Sequence, residues 1–234
     1  MYAADPVQAI DGCGRFAGEC PHHAQQPDMQ ALVTAFEPFD GDDVNASLAA
    51  AQRLPARIGQ LTIATATLPT SYARAHGALE AALERTQPDI VLCVGEAGDR
   101  ADLNVEYAAL NVQDARIPDN DGAQPAGIPI VADGPPAYFA TLPVRECVAA
   151  LRSAGLPATV SYSAGTFVCN HVFYRLMHLA GRSARTMHCG FLHVPLLPQQ
   201  AARRNTPHAM ALDDIVRGIV IVLQTCATHR RSPV

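Results

Sequence analysis

Residues 161–178 read SYSAGTFVCNHVFYRLMH, and the position of Cys169 within them governs the rest of the reading. Residues 158–162 have strand composition, Gly165 supplies a turn, and 166–180 have helical spacing. Strand, turn and helix therefore follow in quick succession. Cys169 falls in the first helical turn, where unpaired N–H groups and the positive end of the helix dipole favour an anion. A cysteine so placed is expected to have a depressed pKa and more of the nucleophilic thiolate. Buried cysteines are most often small apolar core residues, but the neighbours Ser163, Thr166, Asn170 and His171 favour a reactive one.

Composition bounds the rest. The 234 residues suit one domain with a sizeable core. Hydrophobic residues at 49% and charged ones at 17% exclude a disordered chain. A net charge of −5 and no basic run longer than the pairs Arg203–Arg204 and Arg230–Arg231 argue against a nucleic-acid partner. The seven cysteines are scattered, several inside apolar runs, which suits free thiols in a reducing compartment better than a disulfide framework. The start of the chain lacks a signal-peptide pattern and no apolar run is long enough for a bilayer, so a cytoplasmic location without a membrane partner is expected.

Residues 1–28 lack periodicity and are expected to form a poorly ordered N-terminal extension, with 29–234 as a single α/β domain. Met29, just before the first ordered strand, is a candidate true start. Cys13, Cys20, His22 and His23 match no zinc spacing, so no metal is assigned. Strands are expected at 31–36, 61–68, 89–94, 104–113, 158–162 and 186–194. Helices are expected from Asn45 or Ser47 to about Arg53, then at 71–86, 143–154, 166–180 and 210–228. That alternation predicts a three-layer α/β/α fold, its mostly parallel twisted sheet covered by helices on both faces. Sites in such sheets gather at the carboxyl ends of strands.

A thiol nucleophile needs an imidazole to take its proton and a third group to orient that ring. His171 and His178 share the helix of Cys169 and read as structural. His193 closes the strand MHCGFLHVP, at a sheet end, and is the better base. For the orienting acid, Glu106 stands alone among apolar residues in LNVEYAALN, a costly position unless paired; Asp119 is the other choice.

Five blocks now align with one family. LVTAFEPFDGDDVNAS, PDIVLCVGEAGDR, EYAALNVQDARIPDNDGAQP, SYSAGTFVCNHVFY and GFLHVP, in this order, resemble the pyroglutamyl peptidase type I family of cysteine peptidases. The resemblance implies a peptidase that removes N-terminal pyroglutamyl residues from peptides through Glu106, Cys169 and His193. It also implies no cofactor, and a homo-oligomer that is often tetrameric. Phe36, Phe39, Phe167 and Val168 match the family's pocket wall. Asn45 is a candidate polar contact, and Arg116 a candidate contributor to the oxyanion site. Glu96 stands where the family usually has Gln, Asp99 where it has Gly, and Tyr107 where it has Arg. Asp40 replaces another usual Gly. If the Glu96 side chain faces the substrate, it accepts hydrogen bonds without donating them when ionised. Asp40, Glu96 and Asp99 together are expected to make the site mouth acidic. Two alternatives follow: a divergent amidase acting on another small lactam or acyl-amide, or a non-catalytic binder of pyroglutamyl termini.

Overall fold

The computed structural model describes residues 29–229. The expected N-terminal extension, with its two cysteines and two histidines, lies outside the described residues. In chain order the elements are β1 (Met29–Phe36), α1 (Ala46–Ala51), β2 (Arg57–Ile58), β3 (Leu61–Leu68), α2 (Ala75–Thr86), β4 (Ile90–Glu96), β5 (Leu103–Glu106) and β6 (Ala108–Leu110). They continue with β7 (Ala137–Phe139), α3 (Val144–Ser153), β8 (Ala158–Ser161), α4 (Val168–Arg182), β9 (His188–Val194), α5 (Pro198–Arg203) and α6 (Leu212–Thr228).

Seven strands form one sheet in the order β2-β3-β1-β4-β9-β5-β8, while β6 and β7 make a separate antiparallel pair. Strands β3, β1, β4 and β9 run parallel. Strand β5 runs antiparallel to β9 and parallel to β8. Buried strands of this kind alternate their side chains between two covered faces. Ile90, Leu92 and Val94 of β4 join Ile215 and Val222 of α6 in one core, whereas Val91 and Cys93 join Val172 and Leu176 of α4 in the other. Helices α1, α3 and α6 therefore cover one face, and α2 and α4 the other. No helix among the described residues is long and apolar enough to cross a membrane.

Two expected elements are redrawn. The helix expected from residue 71 begins at Ala75, because Ser71 and Tyr72 are drawn into bonds with Asp121 and Asp119. The strand expected over 104–113 breaks after Glu106. Up to that point it pairs within the main sheet; after it, Ala108–Leu110 turns to β7. The redirected segment is held by Asn170 of α4. Its side chain accepts from Leu110 N at 2.9 Å and donates to the carbonyls of Leu110 and Val112 at 2.9 and 3.0 Å.

Asn170→Ala would remove all three bonds and leave the half-buried Leu110 N and Val112 carbonyl without their Asn170 partner. It is expected to cost about 3 kcal/mol and to lower Tm by roughly 6–12 °C, as read by calorimetry.

Candidate active site

Alternation decides which side chains meet. Leu103 and Val105 of β5 belong to the core under α1, α3 and α6, as do Leu192 and Val194 of β9. Their neighbours Glu106 and His193 must therefore face α4, and so must Gly95 at the end of β4. The antiparallel register sets His193 opposite Asn104, with Glu106 two residues further along β5. A long side chain spans that diagonal: Glu106 Oε1 lies 2.8 Å from His193 Nδ1.

Glu106 is completely buried. The same Oε1 also accepts from Arg100 Nη1 at 2.7 Å, while Oε2 has no hydrogen-bond partner among the described residues. Burial alone would push this carboxyl up. The hydrogen bond and charge of His193, the Ser161 hydroxyl and the Arg100 guanidinium overcome it and hold Glu106 below the usual carboxylate range. An ionised Glu106 only accepts, so Nδ1 carries a proton, and in the neutral ring Nε2 is the nitrogen with the lone pair.

Cys169 stands in the first turn of α4, whose leading N–H groups have no side-chain cap. Its Sγ rests on Gly95, the register partner of His193. A Cβ there would come within 2.8 Å of both Sγ and the Phe191 ring, so any side chain at this position would displace the thiol. No hydrogen bond joins the thiol to the imidazole; such contacts commonly tighten only when substrate binds. The expected low thiol pKa is not found. Burial, then the charge of Glu106 and more distant Glu96, push the Cys169 thiol up to about 12, against a smaller opposing effect of Arg100.

The thiol and imidazole open into a cavity of about 600 Å³. Phe36, Phe39, Phe167 and Val168 all line it. Phe167 is wedged between Phe39, at 6.1 Å between ring centroids, and Tyr72, edge-on at 5.7 Å. Asn45, Glu96 and Arg116 also reach the wall. Asn45 is committed to local structure: its Oδ1 accepts from Ser47 N, capping α1, and its Nδ2 donates to Glu37 O. Glu96 belongs by alternation to the opposite face of β4. Its Oε2 accepts from Ala46 N at 2.6 Å and from Gln200 Nε2 at 2.9 Å, and burial raises its pKa. Arg116 is exposed and forms no ion pair among the described residues.

The acidic mouth is smaller than expected. Arg204 pairs with Asp40 at 3.5 Å and with Asp42 at 2.8 Å, which leaves Asp99 as the exposed acid of the three with no ion pair among the described residues. Asp119, the other candidate orienting acid, accepts from the backbone of Tyr72, Asp121 and Ala123, and so organises a loop. His171 bonds Gln113, and His178 bonds the Tyr138 hydroxyl. Sequence reasoning missed Arg100 and Gly95. Gly95 lies under the thiol and Arg100 against Glu106, and both lie within the block PDIVLCVGEAGDR.

Comparison with known proteins agrees over the whole described region. A family model described as pyroglutamyl peptidase matches residues 29–229. A pyrrolidone-carboxylate peptidase of Gloeobacter violaceus is 50% identical over 203 residues, covering 86% of this chain and 98% of the relative. One from Brevibacillus brevis is 44% identical over 202 residues, covering 86% and 94%. The crystal structure of Bacillus amyloliquefaciens pyroglutamyl peptidase I superposes with a TM-score of 0.82 at 40% identity, covering 86% of this chain and 98% of that one. Pyrrolidone carboxyl peptidase from Thermococcus litoralis gives 0.82 at 38%, covering 85% and 93%.

With burial and the Glu106 charge pushing its pKa up, the Cys169 thiol is expected to be protonated at neutral pH. Iodoacetamide labelling of Cys169 in the native protein, followed by mass spectrometry of its peptide, is therefore expected to accelerate about tenfold per pH unit between roughly pH 7 and 9. A plateau below pH 8 would reveal a resting thiolate instead.

Proposed function

The chain belongs to the pyroglutamyl peptidase family, and on that footing we propose that Cys169, His193 and Glu106 perform its reaction. The protein is a hydrolase of the cysteine-peptidase type that removes N-terminal pyroglutamyl residues from peptides. The observation that carries the assignment of residues is the 2.8 Å bond from His193 Nδ1 to the buried Glu106, beside a thiol resting on Gly95.

Cys169 Sγ attacks the pyroglutamyl carbonyl carbon as its proton passes to His193 Nε2. A thiol with a high pKa needs this transfer to accompany attack. The oxygen of the tetrahedral intermediate is met by backbone N–H groups at the start of α4, with Arg116 near enough to the cavity to contribute. His193 returns the proton to the leaving amine, and the carbon–nitrogen bond breaks to leave a thioester. Water, deprotonated by the same imidazole, then releases pyroglutamate and the thiol. Glu106 keeps the ring in one tautomer and stabilises the imidazolium formed on the way. The neutral lactam suits the wall of Phe36, Phe39, Phe167 and Val168, an apolar surface with few polar contacts.

The amidase alternative drew on the substitutions around Glu96; the Glu96 carboxylate itself is engaged by Ala46 and Gln200. We extend the proposal to a homo-oligomer in the cytoplasm. Cys93, Cys147, Cys169 and Cys226 are free thiols, in keeping with a reducing setting. Phe139 and Tyr162, 62% and 60% exposed and each packed on the Tyr107 ring, are apolar surface suited to a second copy.

Hydrolysis of a fluorogenic pyroglutamyl amide by reduced protein is the direct test. Turnover is expected in the wild type and should be lost in Cys169→Ala; activity surviving that substitution would refute the assignment. Glu96→Gln is expected to change kcat/KM less than about twofold, whereas losing a side-chain contact to substrate would change it about fivefold or more.

A further inference from the structure

Arg100 lies in the turn between β4 and β5, and its guanidinium makes three contacts. Nη1 donates to Glu106 Oε1 at 2.7 Å and to the Ser161 hydroxyl at 3.2 Å, and Nη2 donates to the Ser163 carbonyl at 3.0 Å. One side chain thus joins the acid behind the imidazole to the segment leading from β8 into the helix of Cys169. We propose that Arg100 is a positioning residue for proton transfer, acting through Glu106 to hold the His193 ring as a neutral, correctly oriented base. The proposal rests on the peptidase reading of this site.

The reason is charge compensation. A fully buried carboxylate persists only beside positive charge or several donors. The groups facing Glu106 are His193 from β9, Arg100 from the β4–β5 turn, Ser161 from β8 and, further off, the Cys169 thiol of α4. Among these, Arg100 alone is cationic while His193 is a neutral base. Without it, the buried negative charge would be relieved in one of two ways. Glu106 would take a proton and stop accepting from Nδ1, or His193 would become imidazolium and stop acting as a base. Both changes raise a pKa, so both move the acid limb of the rate profile to higher pH.

The experiment compares pH profiles of wild type, Arg100→Met, Arg100→Gln and Arg100→Lys on a pyroglutamyl amide. Alongside, NMR follows the titration of the His193 ring in each protein. Arg100→Gln is included because it keeps a donor toward Glu106, should the methionine variant fold poorly. The neutral variants are expected to shift the acid limb and the His193 titration upward by about one pH unit or more. At a fixed pH on the acid limb, kcat should fall about tenfold with KM within about threefold. Arg100→Lys keeps the charge and should return the limb toward its wild-type position. Lower kcat with limb and titration unmoved would make Arg100 merely structural and overturn the proposal. Absence of wild-type turnover would overturn the peptidase reading instead. The His193 titration would then decide Arg100 alone, an upward shift sustaining its hold on the imidazole and an unmoved one refuting it.

Discussion

A carboxylate with no exposure to solvent dominates the design of this site. Glu106 contributes one oxygen, and that oxygen takes donors from both the imidazole and a guanidinium. Taking the charge out of water is costly, and removing the guanidinium would leave it without a cation while His193 is neutral. The cost is met by local order: the ring of His193, the turn holding Arg100 and the segment around Ser161 are fixed by their attraction to one group. In this way a small electrostatic cluster at the sheet end sets the geometry of three separate chain segments.

The sheet makes the cluster possible through two simple rules. Alternation sends Gly95, His193 and Glu106 to the face covered by α4, while Glu96, one residue from Gly95, points away toward the start of α1. The reversed direction of β5 then matters. Running against β9, it sets Glu106 diagonally from His193 rather than alongside it, at a distance a glutamate side chain covers. Gly95 adds the third element, a stretch of backbone bare enough for a sulfur atom to rest on.

Much of this was legible in the residues. Long periodic runs disclosed the principal strands and helices, and the lone carboxylate, the helix-start cysteine and the strand-end histidine stood out from their surroundings. The two-residue β2, the three-residue β7 and the six-residue α5 did not, because pieces so short carry almost no period. The break after Glu106 escaped notice because both halves are apolar, and only their partners differ. Arg100 looked like any loop arginine until folding brought it to a glutamate six residues away. The direction of Glu96 could have been read from the alternation of β4. The high pKa of Cys169 could not: helix position argues for a thiolate, while burial and nearby carboxylates, which depend on the whole fold, argue more strongly against one.

That last feature bears on survival as much as on catalysis. Peroxides and other electrophiles attack sulfur through the thiolate, and the products beyond the sulfenic stage are hard or impossible to reverse. A sulfur that keeps its proton at rest offers them little to react with. Nucleophilicity that appears only as the proton moves to a neighbouring ring is confined to the moment when a carbonyl is in place. Surroundings that disfavour the Cys169 thiolate would, by the same argument, slow oxidation of the resting sulfur.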